Sequence, residues 1–115
     1  MPARIMVDCA HANSNKNHER QPGVAKEVVN QITSGNESII GLMLESNIGA
    51  GNQKMAGTDG QLNYGVSITD ACVDWPTTEK TLLELHRNLK QRCNDFKSSV
   101  PATSTQVNRR ETPPA

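Results

Sequence analysis

Three side chains of the 115-residue chain, His11, Glu45 and Asp70, are of the types that bind divalent metals. Each lies about one βα unit, roughly 30 residues, from the next. One imidazole and two carboxylates make a donor set for Mn, Fe, Co or Zn. Each residue also has an ordinary reading. A histidine in a polar loop, as at His11, is commonly solvated or capping. Glu45 ends an apolar run, "IIGLMLE", so its carboxylate has to find water, a cation or a partner. Asp70, in "SITDAC", has the alternative of capping a short turn. Asp8 either supports His11 from behind or pairs with a lysine. His18 lies among loop residues and His86 on a charged helix face, so both are set aside. The cysteines, Cys9, Cys72 and Cys93, are widely spaced with no CxxC pair, which argues against a structural zinc site. Cys9 and Cys72 read as small buried residues.

The elements that must position these groups follow the apolar pattern. "ARIMVDC" (residues 3–9) is short, branched and bounded by polar sequence, as a buried strand is. A polar loop follows. "VAKEVVNQITSG" then places Val24, Val28, Val29 and Ile32 on one stripe, predicting a helix over 22–34 with Gly35 at its C-terminal cap. "SIIGLMLES" (38–46) is continuously apolar, the pattern of a parallel strand covered on both faces. A long loop, 47–63, carries Gly49, Gly51, Gly57 and Gly60; such loops are usually functional or disordered. "PTTEKTLLELHRNLKQRC" reads as a helix with Pro76 in its first turn and Leu82, Leu85, Leu89 and Cys93 as its apolar stripe. Residues 97–115 are rich in Ser, Thr and Pro and predict a disordered tail, leaving 1–96 as the folded part. Two βα units in succession imply an α/β fold with parallel strands and right-handed crossovers. Sites in such folds lie beyond the carboxyl ends of the strands, where His11, Glu45 and Asp70 would meet.

Composition narrows the function classes. A net charge of zero gives no broad attraction to nucleic acid or an anionic membrane. No apolar run approaches a membrane span and no secretory leader is visible, so the expected compartment is reducing and cytoplasmic. With 35% hydrophobic and 3% aromatic residues the chain is lean for a self-sufficient core. A (β/α)₈ TIM barrel takes about 250 residues. Two βα units therefore look like a slice of a larger α/β protein.

Three blocks, "MVDCAHANSNK" (6–16), "IIGLMLESNIGAGNQ" (39–53) and "YGVSITDACVDW" (64–75), occur in the order and at the separations found in one family. They resemble the C-terminal end of the type I 3-deoxy-D-arabino-heptulosonate-7-phosphate (DAHP) synthases, from about Pro2 to about Cys93. The resemblance implies that the segment is the last two βα units of a (β/α)₈ barrel. It implies condensation of phosphoenolpyruvate with erythrose 4-phosphate, the first step of the shikimate pathway to chorismate and the aromatic amino acids. It also implies a divalent metal, held by His11, Glu45, Asp70 and a cysteine from an earlier strand, and a homo-oligomeric parent. Ala10 stands where the family usually has Ser, and Asp74 where it commonly has Gly before Trp. Neither Cys9 nor Cys72 sits in a block matching the ligand cysteine, and no block matches the Lys/Arg groups that clamp the substrate phosphates. The expectation is an isolated chain without turnover; a truncated non-catalytic paralogue serving as an interaction module, or a decayed remnant, is the alternative.

Overall fold

The computed structural model describes residues 2–55 and 60–99. Strand β1 (Ile5–Asp8), helix α1 (Gln21–Thr33), strand β2 (Ile39–Met43) and helix α2 (Trp75–Ser99) follow in order, with two short 3-10 turns, His11–Ser14 and His18–Arg20, between β1 and α1. The strands pair in parallel, Met6 beside Gly41, Val7 beside Leu42 and Asp8 beside Met43, with an irregularity between Ile5 and Met6. The ladder is extended past β1 by the Cys9 N–H, which donates to Met43 O at 2.9 Å. Both strands are shorter than the apolar runs that carry them.

Helix α1 begins with Pro22 in its first turn and stops where the pattern predicts, with Ser34 at the C-cap and Gly35 at φ +116°. The Gly35 N–H bonds Ile32 O at 3.1 Å, and a side chain at Gly35 would be strained at that angle. Its buried face, Gln21, Ala25, Val28 and Val29, recurs at helical spacing. The core joins Cys9, Ala25, Val29 and Leu85, with Val24, Leu42, Leu44 and Leu89 packed against it.

Helix α2 departs from expectation in phase and length. Leu85 is buried, but Leu82 is 47% exposed and Cys93 is also exposed; the positions turned inward ahead of Leu85 are Thr78 and Thr81. A threonine tolerates burial on a helix when its hydroxyl returns to the preceding turn. Thr78 Oγ1 donates to Asp74 O at 2.8 Å and Thr81 Oγ1 to Thr77 O at 2.7 Å. The leucine count therefore located the wrong edge of the stripe. The helix runs on to Ser99, past the expected boundary at residue 96. Residues 100–115, where most of the expected tail falls, lie outside the described residues.

The sheet is covered less than its continuous apolar pattern anticipates. Met6 is 68% and Ile40 62% exposed, so apolar side chains of both strands of the two-stranded sheet stand open to solvent. The 47–63 segment, in contrast, is tied down at several points. It is bridged to the 67–73 stretch at Gly51–Cys72 and Asn52–Ser67, and Ser46 bridges to Val73. Gln53 Nε2 donates to both Asn63 O and Val66 O. Gly65, at φ +78°, lies against Ile48 so closely that a Cβ would fall 2.7 Å from the Ile48 Cβ, so this turn requires glycine. No helix among the described residues is long and apolar enough to cross a membrane.

Candidate metal centre

Parallel strands leave their carboxyl ends on one side, and the chain exits from both strands there. After Asp8 and Cys9 it turns sharply through His11, which takes a left-handed φ of 49°. A non-glycine residue in that region is held by its surroundings. The Asp8 carboxylate accepts the Ala10 N–H at 2.8 Å through Oδ1 and faces His11 Nδ1 at 2.9 Å through Oδ2. Asn13 Nδ2 donates to Asp8 O at 2.7 Å, and the Lys16 N–H closes the turn on His11 O at 2.7 Å. Of the two readings of Asp8, the structure selects the support of His11.

The other ring nitrogen, Nε2, points away from Asp8 and lies 3.0 Å from Asp70 Oδ2 and 3.4 Å from Glu45 Oε1. His11, Glu45 and Asp70 each offer one donor atom, and these atoms lie within 4.8 Å of one another. The three residues singled out by type and spacing are thus brought together at one point. Glu45 is the least exposed, with 22% of its side chain accessible, and the other two open onto solvent. They line a cleft of about 380 Å³ whose wall also includes Lys16, His18 and Asn52.

The electrostatics follow from this placement. The His11 imidazole is pushed up from its ordinary value, first by its bond to Asp8, then by that to Asp70. Asp8 is held below the usual carboxylate range by His11 and by the Ala10 N–H. An imidazole whose Nδ1–H is fixed by a carboxylate presents Nε2 outward in one tautomer, the arrangement common behind metal-binding histidines. Two carboxylates converging on that nitrogen favour a positive charge there, and one imidazole with two carboxylates is a donor set that could hold a divalent cation.

The remaining candidates fall elsewhere. Cys9 is fully buried in the core, and burial pushes its thiol up. Cys72 is partly buried, its thiol also raised by burial, and Cys93 is exposed. Among the described residues no cysteine joins the cluster. His86 lies beside the apolar recess between β2 and α2, away from the cluster. Asp74 has a local role that its sequence context did not disclose. Its Oδ1 accepts the Thr77 N–H at 2.9 Å, which makes it the N-cap of α2. Gln21 went unnoticed as well. It is fully buried and bonded to the backbone of Glu45 on both sides of its amide. The available signal was a polar residue on an otherwise apolar stripe with Ala25, Val28 and Val29.

Comparison with known proteins agrees over this same stretch. Residues 1–83 match the DAHP synthetase I family. The chain is 55% identical over 85 residues to the Tyr-sensitive phospho-2-dehydro-3-deoxyheptonate aldolase of Escherichia coli, covering 74% of this chain and 24% of that protein. The Tyr-sensitive enzyme of Enterobacter agglomerans is 54% identical over 86 residues, covering 75% of this chain and 40% of that protein. A solved structure of phospho-2-dehydro-3-deoxyheptonate aldolase from Francisella tularensis superposes with a TM-score of 0.69 at 40% identity, covering 76% of this chain and 25% of that one. The chain therefore spans well under half the length of these relatives. Because the matched residues include His11, Glu45 and Asp70 and the fold agrees at 40% identity, the chain belongs to the DAHP synthetase I family.

Proposed function

We propose that this chain carries the metal-holding part of a DAHP synthase, with His11, Glu45 and Asp70 as its contribution to the ligand set. In this reading residues 2–96 are two βα units at the C-terminal end of a (β/α)₈ barrel, and the cluster lies at the catalytic mouth. The observation that carries it is the convergence of three donor atoms within 4.8 Å at the carboxyl ends of the two strands. The substrates of the whole enzyme would be phosphoenolpyruvate and erythrose 4-phosphate, and the product DAHP, at the entry to aromatic amino acid synthesis.

His11, Glu45 and Asp70 would hold a divalent metal there, which would supply Lewis acidity to a substrate carbonyl. The chain's own residues prepare that place. Asp8 fixes the His11 ring so that Nε2 faces the cleft. Glu45 and Asp70 bring two negative charges to the same point, one from the strand end and one from the loop bridged to it. Lys16 is a cationic side chain on the cleft wall, whereas two substrate phosphates need several charge-assisted donors. The isolated chain is accordingly expected to bind metal without making DAHP.

Titration of the chain with Mn²⁺, followed by loss of the free-ion electron paramagnetic resonance signal, tests the assignment. The expected result is one bound ion, held much more weakly but still measurably after Glu45→Gln or Asp70→Asn and with unchanged affinity in His86→Ala. Equal binding by all four proteins would overturn it.

A further inference from the structure

We infer that Gln21 is a positioning residue for Glu45: its side-chain amide replaces the β1 partner that Glu45 lacks and sets the direction in which the carboxylate leaves the sheet. The inference rests on the metal-centre reading for its consequence, but not for its geometry. The ladder between β1 and β2 reaches Cys9–Met43 and stops there, because β1 turns away into the His11 loop. Two residues further along, Glu45 still has a backbone N–H and C=O to satisfy. The Glu45 N–H donates to Gln21 Oε1 at 2.7 Å, and Gln21 Nε2 donates to Glu45 O at 3.2 Å. A primary amide carries the same donor and acceptor pair as a peptide group, so one side chain serves both sides. Glu45 O also accepts the Val73 N–H at 3.0 Å, from the strand-like stretch that follows Asp70. One backbone unit is thereby gripped from both flanks, by α1 and by the segment carrying another donor of the cluster.

Gln21 is fully buried, and its two amide heavy atoms are both engaged with Glu45. It stands at the first position of α1, whose next buried residues, Ala25, Val28 and Val29, anchor the helix in the core. The grip therefore refers Glu45 to the rigid helix rather than to the loop after β2. This matters because a chelating carboxylate has to be held within a fraction of an ångström of its place.

The test is a double-mutant cycle on the full 115-residue chain at low micromolar concentration. Co²⁺ is the probe, since its visible absorption reports coordination. Gln21→Met keeps the length and removes both hydrogen bonds. It is expected to weaken Co²⁺ binding by about 10–100-fold, the usual effect of losing a group that orients a ligand, and to change the absorption band shape. In a Glu45→Gln background the same substitution should change affinity by no more than about twofold, because the residue it acts through is already lost. Equal losses in both backgrounds, or no loss in the parent chain, would overturn the inference. Amide hydrogen exchange separates this from the metal reading. Gln21→Met should speed exchange at Glu45 and leave Val28 and Val29 unchanged. Gln21→Glu, which retains the acceptor, should restore protection of the Glu45 N–H. If the parent chain binds no Co²⁺, the metal centre fails and exchange alone decides Gln21: unchanged protection in Gln21→Met overturns the positioning role.

Discussion

The carboxyl ends of the β strands and the middle of the sheet are held by different forces. At the carboxyl end, hydrogen bonds between residues remote in sequence fix the geometry: His11 to Asp70, Gln21 to Glu45, Ser46 to Thr78 and Gly51 to Cys72. In the middle, the buried apolar cluster has only four members, Cys9, Ala25, Val29 and Leu85, while Met6 and Ile40 stand exposed on the sheet. A hydrogen bond exchanged for one to water contributes little net stability, whereas buried apolar area is the main driving force. The molecule is thus well specified where its chemistry would occur and weakly stabilised where cohesion must come from. Specification and stability are separable, and each can be perturbed without the other.

The largest expected effect is on turnover. The purified chain with both substrates and Mn²⁺ should form no DAHP, because the cluster offers metal ligands while, among the described residues, the cleft wall carries one lysine rather than the several cationic groups that two phosphates need. A colorimetric or chromatographic assay for the product decides; turnover near that of a whole family enzyme would refute the division drawn here. Next comes the cluster. Glu45→Gln, Asp70→Asn and His11→Ala should each weaken Mn²⁺ binding by more than the roughly 10–100-fold expected when an orienting partner is removed. Their far-UV circular dichroism should be unchanged, since the strand ends and not the core are altered.

The core responds in the opposite way. Leu85→Ala should cost about 2–5 kcal/mol, as leucine truncations in packed sites do. A core this small should not tolerate that loss, so the thermal transition should move sharply down or vanish. The parent chain itself should be marginal and self-associate as concentration rises, because both strands of a two-stranded sheet are edges. Size-exclusion chromatography across a concentration series measures this. A monomer at all concentrations with a high, cooperative melting transition would contradict it.

Much of the site was legible in the sequence. His11, Glu45 and Asp70 could be chosen because parallel topology forces strand ends to one side and βα spacing repeats along the chain. The parallel strands, α1 and its glycine cap were legible for the same reason: apolar periodicity and capping are local signals. What escaped were the features that depend on pairs of distant residues. The choice of Asp8 as partner to His11 needed the left-handed turn at His11. The Gln21 amide made sense only once β1 was seen to leave β2 before Glu45. The buried face of α2 was misplaced because the stripe was drawn through Leu82, Leu85, Leu89 and Cys93, whereas Thr78 and Thr81 turn inward with each hydroxyl bonded to the carbonyl four residues back. The exposure of Met6 and Ile40 was hidden by a pattern that reports how apolar a strand is, not what covers it.

The smallest expected effect lies at the junction of the two regions, where α2 starts. Asp74 is held below the usual carboxylate range first by the Thr77 hydroxyl and then by the Thr77 N–H that it accepts. Glu84 is likewise depressed, by its 2.8 Å pair with Lys26 that joins α2 to α1. A carboxylate whose pKa is lower in the folded than in the unfolded state stabilises fully above the unfolded value, about 3.9 for Asp and 4.3 for Glu. That contribution is lost as pH falls from there through the lower folded value. Asp74→Ala should therefore reduce the melting temperature modestly at pH 7, with little change in Co²⁺ binding. The difference from the parent should begin to shrink as the pH is taken below about 4 and disappear only below the lower folded-state value, where Asp74 is uncharged in both states. Glu84→Gln should follow the same course with a smaller amplitude, since a solvent-exposed pair is screened and adds little. Thermal melts of the three proteins at pH 7 and about pH 3 measure both effects. A difference that widens in acid would show that Asp74 acts through something other than its carboxylate cap.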